Sequence, residues 1–139
     1  FLEGAGAPAD FVRELAPRGA QYSGFNLLVG DGASLWWHSN RSGAPRALDA
    51  GVYGLANELL DSPDVEAAKA RFAETLDLPP AAETLFAALA PSRIVNGPYG
   101  TRCSTAVIAA ADGTWQLAER SFDAEGRELA TLQYAFSLA

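Results

Sequence analysis

Three aspartate–glycine turn signals constrain this chain more than any other feature. Asp31-Gly32 separates the alternating run of Phe25, Leu27 and Val29 from the run Leu35-Trp36-Trp37-His38-Ser39. Asp112-Gly113 separates the apolar stretch 101–111 from Trp115-Gln116-Leu117-Ala118-Glu119. The segment Asp123 to Gly126 precedes a last run in which Leu132, Tyr134 and Phe136 alternate. Glycine accepts positive φ and aspartate bonds its own backbone, so each signal reverses the chain. Runs of period two on either side then pair as antiparallel hairpins. Asp31-Gly32 predicts a two-residue turn, 41–49 a loop, and Gly51 to Leu55 a third short strand.

Between the hairpins lie helical patterns. Pro8-Ala9-Asp10 opens a short helix with Phe11, Val12 and Leu15 on one face, which Pro17 and Gly19 end. Ser62 is placed as an N-cap with Pro63 at the first helical position. Val65, Ala68, Phe72 and Leu76 then mark one helix face, and Ala82, Leu85, Phe86 and Leu89 mark another after Pro79-Pro80. The expected class is α+β: antiparallel sheets with helices on their outer faces. Several open strand edges need covering, so strands from further upstream are expected to complete the sheets.

Charge narrows the function. The net charge is -7 and the sequence pI about 4.5. Phosphate neutralisation needs a basic footprint, so no nucleic-acid partner is expected. Apolar runs such as 106–111 fall far short of the roughly 20 residues of a spanning helix, so no membrane insertion is expected. The single cysteine, Cys103, leaves no internal disulfide or CxxC clamp. A reducing, cytoplasmic setting is the expectation. The chain has no Met and opens Phe1-Leu2-Glu3, and residues 1–6 read as the tail of an upstream segment.

Few residues invite chemistry. His38, the only histidine, suits a general base or an iron ligand, although a lone strand histidine is more often structural. Cys103 lies beside Arg102, but a small buried hydrophobe is its commoner role. Arg102 suits a carboxylate clamp or a partner for a nucleophile, and equally a salt bridge at a strand end. Asn26, Asn40 and Asn57 fall in or beside predicted strands, where asparagine is depleted, which suggests a polar network or a site. Asn57 is placed to donate an amide N–H to a developing oxyanion, or to start a turn before Glu58. Trp36, Trp37, Tyr53, Trp115 and Tyr134 either line a pocket or pair across strands. No metal site and no common nucleotide, zincin or serine-hydrolase signature is present.

Five blocks taken in order are more specific. Tyr22-Ser23-Gly24-Phe25-Asn26-Leu27-Leu28-Val29-Gly30-Asp31 comes first, followed by His38-Ser39-Asn40-Arg41. Tyr53-Gly54-Leu55-Ala56-Asn57 with Leu60-Asp61, Tyr99-Gly100-Thr101-Arg102-Cys103-Ser104-Thr105, and Glu119-Arg120 with Phe122 complete the series. Together they resemble the NRDE family, which includes transport and Golgi organisation protein 2. Cys103 and Ala56 stand where that family usually has serine.

The resemblance implies that residues 1–139 are a single segment, the C-terminal part of an NRDE domain. The fold it implies is part of the α/β/β/α sandwich of N-terminal-nucleophile hydrolases. It implies a small-molecule ligand, with haem or an acyl compound as candidates and the upstream segment of the same protein as a partner. Asn26, His38, Asn40 and Arg41 are the expected ligand-binding residues. The alternative it implies is a cysteine amidohydrolase whose nucleophile lies upstream, with Asn57 as oxyanion donor and Arg102 as orienting cation.

Overall fold

The structure is a computed structural model that describes residue 4 and residues 6–137. Part of the expected upstream tail, residues 1–3 and 5, lies outside the described residues. The architecture is α+β, with three α-helices and three antiparallel sheets among the described residues. The chain divides into two compact units, Phe1–Glu66 and Ala67–Ala139. Among the described residues no helix is long and apolar enough to cross a membrane.

In the first unit, α1 spans Pro8–Leu15 and carries the fully buried Val12. The α-helix ends just before Pro17, as expected, but a 3-10 turn continues the helical path. Pro17 occupies the first turn of this 3-10 segment, Ala16–Gln21, where its fixed φ is tolerated and no amide hydrogen is required. A three-stranded sheet follows in the order β1 (Asn26–Gly30), β2 (Leu35–Ser39), β3 (Arg46–Leu48). The β1–β2 hairpin has the expected partners, with Leu27 opposite His38 and Leu28 opposite Trp37. Its connection is four residues rather than two. Asp31 accepts from the backbone N–H groups of Ala33 and Ser34 at 3.0 and 2.9 Å, and Gly32 takes φ +83°.

The third strand lies earlier than expected. Arg46 pairs opposite Trp37 and lays its guanidinium 5.6 Å from that ring, drawing part of the expected loop into the sheet. The stretch from Gly51 to Leu55 is irregular instead. Its Tyr53 hydroxyl turns back to donate to the Asp49 carbonyl at 3.0 Å.

Around the start of α2 (Glu66–Thr75), Pro63 opens a 3-10 turn, Pro63–Val65. Ser62 precedes it with extended backbone but caps nothing, because its hydroxyl is taken by the Asp64 carboxylate. Val65 is buried, whereas Phe72 and Leu76 on the expected face are exposed.

In the second unit, α3 (Ala82–Leu89) lies on a sheet of order β6-β7-β8, where β6 is Cys103–Ala109, β7 Thr114–Phe122 and β8 Glu128–Ser137. Phe86, 4 % exposed, packs with Ala106 and Ala118, so α3, β6 and β7 each give one residue to this core. A two-residue hairpin absent from the sequence reading, β4 (Val95–Asn96) with β5 (Tyr99–Gly100), turns at Gly97 and Pro98. The sheet face away from Phe86 carries Val107, Leu132, Tyr134 and Phe136, all exposed, with Trp115 stacked on Phe136 at 6.4 Å.

Truncating Phe86 removes the largest side chain of that core. Phe86→Ala is expected to cost about 3–4 kcal/mol, read from urea unfolding of the chain. The turn aspartates give a second expectation. Backbone donors at Ser34 and Ala33 hold Asp31 below the ordinary carboxyl value of 3.8, and those at Thr114 do the same for Asp112. The Arg127 guanidinium lowers Asp123. A carboxyl lowered on folding binds fewer protons than in the unfolded chain. Its stabilisation is complete above 3.8 and is lost as pH falls through the folded value. Replacing all three by Asn should therefore flatten the acid limb of a stability–pH curve, checked by denaturant midpoints on either side of 3.8.

Candidate functional site

The candidate site is built in the first unit, from the end of the β1–β2 ladder. Beyond the last backbone pair, Asn26 opposite Ser39, side chains continue the pairing. The Ser39 hydroxyl donates to the Phe25 carbonyl at 2.8 Å, and the Asn40 Oδ1 accepts from the Phe25 N–H at 2.9 Å. The Asn40 Nδ2 donates to the carbonyls of Gly19, Ser23 and Tyr22, at 3.0, 3.1 and 3.3 Å. One amide thus holds the exit of the 3-10 segment against the start of β1, and it delivers Arg41 alongside Gly24.

A second wall comes from the segment between β3 and the Pro63 turn. The Asp61 N–H donates to the Gly54 carbonyl at 2.8 Å, and the Gly54 N–H donates to the Asp61 carboxylate at 2.9 Å. This reciprocal pair closes 55–60 into a small loop. Asp61 takes φ +60°, a left-handed conformation that aspartate tolerates better than most residues. Asn26 joins this loop to the sheet. Its Nδ2 donates to the Glu58 carbonyl at 2.8 Å, and its Oδ1 accepts from the Trp37 indole at 3.2 Å.

Between these walls is a cavity of about 770 Å3 lined by Gly24–Asn26, Arg41 and Leu55–Leu59. It brings together three residues singled out from sequence: Asn26, Arg41 and Asn57. Asn26 is committed at both ends of its amide. The side chains of Arg41 and Asn57 make no hydrogen bond or ion pair among the described residues.

His38 and Asn40 do not line this cavity. His38 is 3 % exposed, packs edge-on to Phe25 at 5.7 Å, and has no hydrogen-bond partner on either ring nitrogen among the described residues. Arg102 belongs to the second unit, where its Nη2 donates to the Pro98 carbonyl at 3.2 Å and Cys103 is exposed beside it.

A family model described as Transport and Golgi organisation 2 matches residues 1–90. The chain belongs to that family. A search of curated proteins finds no match. The Transport and Golgi organisation 2 match contains every residue that lines the cavity. It also contains the first three sequence blocks quoted above, whereas the Arg102 block lies beyond it.

Sequence reasoning missed two contributors. Gly24 matters by lacking a side chain, since a Cβ there would stand 2.2 Å from the Arg41 Nε. Asp61 matters by closing the loop. Each stood in a block quoted for the resemblance, but neither has a side-chain chemistry that a search for catalytic groups would select.

The amide inventory predicts unequal losses. Asn40→Ala leaves the Phe25 N–H and the Gly19 carbonyl without this partner, and should destabilise the chain by about 2 kcal/mol. Asn57→Ala should change stability by under about 0.5 kcal/mol. Urea unfolding followed by tryptophan emission measures both.

Proposed function

We propose that this Transport and Golgi organisation 2 family chain contributes a cleft that binds a small amphiphilic ligand, with an acyl compound as the simplest fit. One observation carries the reading: Arg41 and Asn57, whose side-chain polar groups have no partner among the described residues, line a single cavity with the apolar Phe25, Leu55 and Leu59. Pockets that bind small molecules combine apolar walls with a few convergent polar groups. Leu59 and Glu58 also line a second, more open cavity of about 570 Å3 with Ser62, Pro63 and Asp64. An apolar tail leaving the polar end therefore has a surface to follow.

Haem fits less well. No imidazole, thiolate or phenol lines the cleft, and His38 is buried outside its lining, so these residues offer haem iron no axial ligand. The amidohydrolase alternative draws support from Asn57 alone, whose unpaired amide is of the kind that stabilises an oxyanion. It further requires a nucleophile from outside this chain.

Octanoate serves as a probe for the main reading. Calorimetric titration of the purified chain should give a saturable signal, and filling the cleft with Ala56→Phe should remove it. A wild-type response that never saturates, or one that Ala56→Phe leaves intact, overturns the reading.

A further inference from the structure

We infer that Arg41, seated on Gly24, recognises a carboxylate, and that Glu58 in the same lining restricts the ligand to a single negative charge. This rests on the binding reading above and adds the identity of the ligand's polar end.

Gly24 supplies the seat. The Nε, Nη2 and Cζ atoms of Arg41 lie 2.2, 2.4 and 2.5 Å from the point that a Cβ of residue 24 would occupy. The guanidinium fills the volume that any other residue would take for its own side chain. A planar fork held against a backbone surface has lost much of its freedom before a ligand arrives, which favours two-point binding of a carboxylate. No carboxylate among the described residues pairs with it.

Glu58 supplies the restriction. It lines the same cavity, it makes no ion pair with Arg41 or any other described residue, and only its backbone carbonyl is engaged, by Asn26. Its neighbouring cavity adds Asp64. A ligand with one carboxylate at Arg41 and an uncharged tail satisfies the cation without meeting the acids. A second anionic group would face them unpaired, and such repulsion is an effective source of selectivity. The acidic side chains thus separate monocarboxylates from dicarboxylates of the same length.

Three eight-carbon probes test this on the full chain by calorimetry: octanoate, octan-1-ol and octanedioate. Octanoate should bind about tenfold or more tightly than the other two. Arg41→Gln should reduce octanoate to the level of the alcohol. Gly24→Ala, at a position with no positive φ, should unseat the guanidinium and weaken octanoate several-fold while leaving the alcohol unchanged. Glu58→Gln should raise the affinity for octanedioate. Thermal unfolding of each variant checks that the exposed substitutions leave the fold intact. Equal binding of octanoate and octan-1-ol overturns the carboxylate assignment while leaving the cleft as a binding site. An octanedioate affinity that Glu58→Gln does not move overturns the charge restriction. Failure of all three probes to bind overturns the underlying reading itself.

Discussion

The side-chain amide of Asn26 is stretched between the Trp37 indole N–H and the Glu58 carbonyl. The donor belongs to the sheet and the acceptor to the loop that forms the facing wall. An amide is one of few side chains that can accept at one end and donate at the other, so no isosteric apolar residue could hold both walls. The Trp37 ring is itself fixed by the Arg46 guanidinium from β3. The cleft thus inherits its width from a strand pairing several residues away. A change in the β2–β3 register would move the indole, then Asn26, then Glu58.

The same logic explains why irregular backbone is tolerated here. The segment 49–62 has no ladder to satisfy its peptide groups, and buried or half-buried backbone needs partners. Gly54 and Asp61 bond each other twice, the Ser62 N–H donates to Leu59, and the Tyr53 hydroxyl donates to Asp49. The loop is held by local bonds at its base, leaving the side chains at 55–59 for the cavity. Positioning functional groups on a loop anchored by a regular scaffold is a common arrangement.

Much of this was legible in the residues. Period-two alternation and the aspartate–glycine turns located β1, β2, β6, β7 and β8; α1 covers a face of β1 and β2 and α3 a face of β6, which the pattern records, whereas the exposed β8 shows its period without a helix over it. The third strand was misplaced because Arg46-Ala47-Leu48 is too short to show a period, and because its pairing is fixed by the Arg46–Trp37 contact rather than by alternation. The β4–β5 hairpin escaped for the same reason, at two residues per strand. Within the site, Asn26 and Asn57 were visible as polar residues out of place, and Arg41 through the block that carries the family resemblance. Gly24 and Asp61 were not, since their contributions are an empty volume and a backbone conformation.

The three asparagines show how a polar residue marked in sequence is to be sorted once the structure is known. Asn40 donates or accepts in four hydrogen bonds and Asn26 in two, all within the chain. Amides so occupied have little left for a ligand, and removing them exposes backbone groups to an unmet need. Asn57 has no such bond among the described residues, and neither has the Arg41 side chain, which leaves their polar groups to solvent or to something bound. The family resemblance had put Asn26, His38, Asn40 and Arg41 into one ligand-binding set. Counting bonds divides the asparagines and Arg41 into a frame and two groups facing the cavity, and the charge on Arg41 then makes an oxyanion its natural complement.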